Sequence, residues 1–142
     1  MSKHITQSAA IPFRIKKGNI EVMLITSRNT KRWVFPKGHV EKNLTPYNSA
    51  AKEAFEEAGV KGNVSSKRLG SYRYIKPEIK GVNICKVDVY PMAVSKELSN
   101  WPEKDQRDRQ WTPIEDAANM IAEKKLGKIL RKFSNQLNTT AL

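Results

Sequence analysis

Apolar positions along this chain follow two rhythms. Ala9–Arg14 and Ile20–Thr26 are short apolar runs parted by Lys16-Lys17-Gly18-Asn19, a pattern that predicts two strands joined by a turn. Ser27–Arg32 is a polar, basic loop, and Trp33-Val34-Phe35 predicts a short strand that runs into Pro36-Lys37-Gly38. Val64–Tyr74 and Val82–Val94 read as longer strands, and Ile84–Tyr90 alternates in part, as a sheet strand should.

The second rhythm is helical. Thr45 is an acceptable N-cap, Pro46 suits the first helical position, and Gly59 suits the stop. At about 100° per residue, Tyr47, Ala50, Ala51, Ala54 and Ala58 fall on one arc, which predicts the core face. Its alanines would let a sheet come close. Further on, Asn100–Arg109 reads as a charged loop and Gln110-Trp111-Thr112 as a short return strand. Thr112-Pro113-Ile114-Glu115 opens a helix carrying Ala117, Ala118 and Ile121, and Leu126–Phe133 predicts a basic amphipathic helix. Strands interleaved with helices predict an α/β (α+β) fold, a mixed or antiparallel-rich sheet with helices on its faces. No repeat, low-complexity tract or linker divides residues 1–142, so a single domain is expected.

Composition narrows the class. A hydrophobic fraction of 39% argues against disorder. No apolar run approaches the roughly 20 residues of a membrane span, and the N-terminal MSKHITQSAA lacks the apolar core of a signal peptide. Cys85 is the single cysteine, which excludes an internal disulfide and makes a cytoplasmic protein the default expectation. Lys and Arg number 26 against 14 Asp and Glu, a formal +12. Such a field attracts nucleotides, polyphosphates, nucleic acid or acidic membranes, although it also serves simply as a solubility surface.

The candidate chemistry lies in KEAFEEAG. Glu53, Glu56 and Glu57 stand at i, i+3 and i+4, on one side of the predicted helix. Carboxylates so crowded call for a positive charge among them, and a hard divalent cation such as Mg²⁺ or Mn²⁺ suits oxygen ligands. The competing reading of such a run is a solvated acidic face. The Pro36 turn, the Thr45-Pro46 start and the Gly59 stop argue against it.

On these residues the chain resembles the Nudix hydrolase family. That signature is Gly, five residues, Glu, seven residues, then Arg-Glu-apolar-x-Glu-Glu-x-Gly-apolar. Gly38 and Lys52-Glu53-Ala54-Phe55-Glu56-Glu57-Ala58-Gly59-Val60 match it in strict register, with Leu44 where it has its first Glu and Lys52 where it has Arg. The resemblance implies an α/β/α sandwich with a central mixed sheet. It implies metal ligation by Glu53, Glu56 and Glu57, with the Gly38 carbonyl as a further ligand and Mg²⁺ or Mn²⁺ as cofactor. The same glutamates would be catalytic, and the general base would be one of them or, from a later loop, Glu97, Glu103 or Asp105. Lysine at 52 keeps the charge but loses the planar fork, and Glu41 is a possible substitute for the carboxylate absent at Leu44.

The stretch Arg32–Gly38 and the later Arg107-Asp108-Arg109-Gln110-Trp111 resemble the branch of diphosphoinositol polyphosphate and diadenosine polyphosphate phosphohydrolases. The implied reaction is metal-dependent hydrolysis of a phosphoanhydride in an anionic, polyphosphorylated small molecule. Arg28, Lys37 and His39 are the first candidates for phosphate contacts, with Arg14, Arg107 and Arg109 behind them. Trp101 is the foremost candidate among the tryptophans for stacking on a base. Two other readings stand beside this one. The departures at Leu44 and Lys52 motivate a polyphosphate-binding module without turnover. The basic stretch Lys124–Lys132 motivates an RNA 5′-end pyrophosphohydrolase or RNA binder, although its simpler reading is a helix with Leu126, Ile129, Leu130 and Phe133 inward.

Overall fold

A computed structural model describes residues 2–140. At its centre, strand β1 (Ser2–Lys16) lies parallel to β7 (Gly81–Glu97), paired from Ser2↔Val82 to Phe13↔Ala93. Beyond that pairing, β1 turns at Lys17-Gly18 into antiparallel β2 (Asn19–Thr26), with Phe13 opposite Val22. Short β3 (Trp33–Val34) and later β8 (Arg109–Pro113) flank β2, while β4 (Lys37–His39) pairs with β1 at Gln7–Ala9. On the far side of β7 lie β5 (Val60–Val64) and β6 (Gly70–Glu78). Three helices complete the chain: α1 (Pro46–Glu53), α2 (Ile114–Met120) and α3 (Lys124–Thr140).

Strand alternation sends side chains to both faces of this mixed sheet, and both faces are covered. Ile11, Val22, Leu24, Val87 and Val89 meet Ile114, Ala117, Leu126, Leu130 and Phe133 of α2 and α3. Ala10, Met23, Ile25, Tyr90 and Met92 meet Ala50, Ala54 and Ala58. The result is the expected α/β/α sandwich. The three alanines are fully buried, so the α1 backbone approaches the sheet closely and its polar flank is held at the rim. On α3, Leu126, Ile129, Leu130 and Phe133 point inward, whereas Lys124, Lys125, Lys128, Arg131 and Lys132 are exposed. Among the described residues no helix is long and apolar enough to cross a membrane.

Two elements differ from the expectation. The strand expected at Val64–Tyr74 is two strands, β5 and β6, which run end to end along β7. Between the pairs Val64↔Met92 and Gly70↔Val89, residues 65–69 face only 90–91, so the surplus loops out. Ser65 and Leu69 hold its ends by donating N–H groups to Pro91 O and Val89 O. The second difference is in the acidic helix. Thr45 caps it as expected, its Oγ1 accepting from Asn48 N–H, but α1 ends at Glu53. Ala54–Ala58 continues as a π-helical turn, closed by Gly59 in the left-handed region at φ 67°. The Gly59 N–H donates to both Ala54 O and Phe55 O, straddling the α and π registers. A π-turn winds fewer degrees per residue than an α-turn, so side-chain directions after Glu53 depart from the assumed spacing.

Candidate active site

The π-turn, the end of β4 and the segment 98–108 before β8 converge on the carboxylates. Glu57 is buried at 8% exposure. Its Oε1 accepts the Lys37 backbone N–H at 3.2 Å, and its Oε2 lies 3.6 Å from Arg107 Nη2. Glu53 and Glu57 are in hydrogen-bonding contact. Burial pushes the Glu57 carboxyl up to about 8, a stronger effect than the downward pull of Arg107, and burial also raises Glu53. The pair therefore keeps a proton near neutral pH. Gly38 completes this corner: a Cβ there would lie 2.9 Å from Glu53 Oε2 and closer still to Oε1. Only glycine lets the β4 backbone pass so near the carboxylate.

Glu56 does not join them. It is half-exposed and lies 3.7 Å from Lys52 Nζ, which donates to Glu41 Oε1 at 2.6 Å. Glu41, the suggested substitute for the carboxylate absent at Leu44, thus pairs with Lys52. The loop between them is tied down by the Glu41 N–H, which donates to the buried Ser49 hydroxyl. Among the described residues no group of three His, Cys, Asp or Glu side chains is placed to share one ion. Glu53 and Glu57 meet across the π-turn, while Glu56 leans to Lys52. What the structure assembles is a two-carboxylate corner beside a backbone, with hard oxygen donors and a retained proton that a divalent cation would replace.

Of the three base candidates, only Glu103 reaches this site. Glu97, the last residue of β7, lies 3.6 Å from Arg14, and Asp105 is exposed in a 3-10 turn (Lys104–Gln106). Glu103 donates its N–H to Glu56 O at 3.0 Å, which docks the loop on the π-turn. Its carboxylate accepts from Arg107 Nε at 2.9 Å.

The candidate phosphate contacts separate. Lys37 is half-buried, its Nζ 5.1 Å over the Tyr74 ring. It lines a cleft of about 270 Å³ with Arg32, Tyr74, Ile75, Ala122 and Glu123. Burial lowers the Lys37 ammonium pKa, and Glu57 and Glu123 partly offset this. Arg28 is exposed on the rim and donates to Gln106 Oε1 at 3.2 Å, while His39 is exposed at the end of β4. Arg109 is taken up by the protein itself. It donates to the carbonyls of Ala58, Gly59 and Leu98, covering the end of the acidic helix, and stacks over Trp101 at 3.9 Å. Arg14 pairs with Glu21 and stacks over Trp111. Trp101, expected as a stacking ring, is half-buried between Arg109 and Gly59. The aromatic ring that lines the cleft beside Lys37 is Tyr74, which the strand pattern did not single out. A depression of about 780 Å³ beside Lys3, Ile5 and Ile79 lies at the β6–β7 hairpin and contains none of the site residues.

Known proteins match this chain over most of its length. The NUDIX domain family matches residues 5–137. Nudix hydrolase 16, mitochondrial, of Arabidopsis thaliana is 37% identical over 78% of this chain and 68% of its own. Diphosphoinositol polyphosphate phosphohydrolase 3-beta of Bos taurus is 29% identical over 81% of this chain and 68% of its own. Among solved structures, a binary complex of the C. elegans Ap4A hydrolase superposes with a TM-score of 0.69 at 22% identity, covering 94% of this chain and 97% of that one. That last likeness concerns the fold.

Proposed function

The chain belongs to the Nudix hydrolases, and from that premise we propose that it uses Mg²⁺ or Mn²⁺ and water to cleave a phosphoanhydride. The substrate is a nucleoside diphosphate joined to another group, of the diadenosine polyphosphate kind, or a diphosphoinositol polyphosphate. The observation that carries this reading is the Glu53–Glu57 pair against the Gly38 backbone, two carboxyls in contact whose burial raises both.

Glu53 and Glu57 would hold the cation, with the Gly38 carbonyl as a further donor, and Glu56 would add to them only by leaving Lys52. A bound divalent cation supplies charge neutralisation for the diphosphate and its transition state. The protein's own groups do the rest. Lys37 and Arg32 line the cleft next to this corner and give it positive charge for phosphate, Arg32 as a fork and Lys37 as a point charge. Glu103 takes the proton of the attacking water as a new P–O bond forms and the bridging P–O bond breaks. The named activities of the bovine and C. elegans relatives make both substrate types worth testing.

The test is phosphate release from diadenosine polyphosphates, diphosphoinositol polyphosphates, ADP-ribose, nucleoside triphosphates and 5′-triphosphorylated RNA, with Mg²⁺ and with Mn²⁺. The expected result is metal-dependent turnover that Glu57→Gln lowers by about 10² or more. A second reading, a polyphosphate-binding module, draws on the diversion of Glu56 to Lys52. Mg²⁺-dependent binding of these ligands without release of phosphate would replace the hydrolase reading with that one.

A further inference from the structure

Arg107 is a cation deep in the site, and its pairing is unlike that of the other candidate cations. Its side chain is 9% exposed, and protein acceptors surround it. Nη1 donates to Thr26 O at 3.1 Å, Nε donates to Glu103 Oε1 at 2.9 Å, and Nη2 lies 3.6 Å from Glu57 Oε2. The anchor is firm. Thr26 is buried at the end of β2, and Asp108 is bonded to it twice: Thr26 N–H donates to Asp108 O at 3.0 Å, and Asp108 N–H donates to Thr26 Oγ1 at 2.9 Å. The guanidinium is therefore fixed to the sheet at one corner and reaches the loop carboxylate and the helix carboxylate with the others. A planar fork sets the angles between its donors, so acceptors bound to it keep fixed relative positions, which an ammonium cannot enforce. Lys52 does not share this duty, because it is exposed and its acidic partners are Glu41 and Glu56.

We propose that Arg107 is a positioning residue for hydrolysis, holding Glu103 of the loop at one separation from Glu57 of the helix. This rests on the hydrolase reading above. Arg107 is then not the phosphate contact its place among the basic residues suggested. Without it, Glu103 keeps only backbone bonds, its N–H to Glu56 O and its carbonyl from Gln106 N–H, and its carboxylate is free to turn away. A displacement of about 1 Å in such a group costs on the order of 10² in rate.

The test compares Arg107→Gln, Arg107→Lys, Glu103→Gln and the double variant Arg107→Gln/Glu103→Gln, using the full chain, Mg²⁺ and diadenosine tetraphosphate as probe. Expected for both Arg107 variants is a kcat loss of about 10- to 100-fold with KM changed less than about threefold. Lysine does not rescue. In the Glu103→Gln background, Arg107→Gln costs less than about threefold more, because the two act as one unit. A second readout needs no turnover: amide exchange in metal-free protein should quicken at residues 101–106 in Arg107→Gln and stay unchanged at Leu24 and Ile25. A KM rise of about tenfold or more with kcat preserved would make Arg107 a substrate contact and overturn the proposal. So would losses that multiply independently in the double variant, or unchanged exchange in the loop. If the wild-type chain turns over no substrate at all, the hydrolase reading fails, and the exchange measurement still decides the positioning role.

Discussion

At Gly38 the constraint is spatial: the Glu53 carboxylate occupies the volume a side chain would need. Gly38→Ala is expected to cost little stability, because the far end of the Glu53 side chain can swing aside, and to lower activity, since Glu53 is the group that must move. Thermal melts beside turnover would check this. Glu57 makes the second prediction. Its carboxyl sits at about 8 in the folded protein against 4.5 for an ordinary one, so the folded state binds more protons between those values. Stability of the metal-free chain should therefore fall as pH rises from about 4.5 to about 8. Melts in chelator across that range should show the decline, Glu57→Gln should flatten it, and saturating Mg²⁺ should flatten it in the wild type. A melt profile that rises over the window would contradict the shared proton. Legibility was uneven among these residues. Glu53 and Glu57 were legible from helical spacing, and Gly38 from the motif's resemblance to a family. The roles of Arg107 and Arg109 were not, because a guanidinium paired inside the protein and one facing solvent look identical in a string of letters.

Among the elements, the acidic helix shows both the reach and the limit of a sequence pattern. Its start, its alanine face and its glycine stop are all local chemistry, set by a capping hydroxyl, a proline without an N–H and a residue that tolerates positive φ. The π-turn is not local: it reconciles the seating of Ala54 and Ala58 on the sheet with the carbonyls that Arg109 gathers at the helix end. Arg109→Ala leaves the Ala58, Gly59 and Leu98 carbonyls without their charged donor and uncovers Trp101. A loss of about 2–4 kcal/mol is expected, from charge-assisted hydrogen bonds of about 1.5–3 kcal/mol together with the lost stacking. Denaturant unfolding would measure it, and a loss under about 0.5 kcal/mol would mean that water replaces the guanidinium without penalty. Gly59→Ala meets both a positive φ of 67° and the Trp101 ring, so it should be at least as damaging.

For the whole molecule, the +12 charge is the dominant property. Much of it lies away from the site, on the exposed face of α3, where Lys124, Lys125, Lys128, Arg131 and Lys132 face solvent. Charge at that remove acts through the long-range field, so KM for an anionic substrate should rise several-fold between about 50 and 300 mM salt while kcat changes little, as the screening length shortens. Steady-state kinetics against ionic strength would show it, and a fall in kcat with KM constant would place the salt effect at the carboxylates instead.

The sequence by itself determined the layers and the corner of the site. Alternation and helical periodicity, each a property of a few neighbouring residues, were enough for a mixed sheet with helices on its faces and for carboxylates on one side of a helix, while the α/β/α sandwich and the place of Gly38 beside them followed from the motif's resemblance to a family. Tertiary structure alone decided which carboxylates meet, which of the later acidic residues reaches them and which arginines are internal. Those outcomes depend on contacts such as Arg107 with Thr26 and Glu57, between residues distant in the chain. No local spacing encodes a distance that exists only after β2, the π-turn and the segment before β8 have packed together.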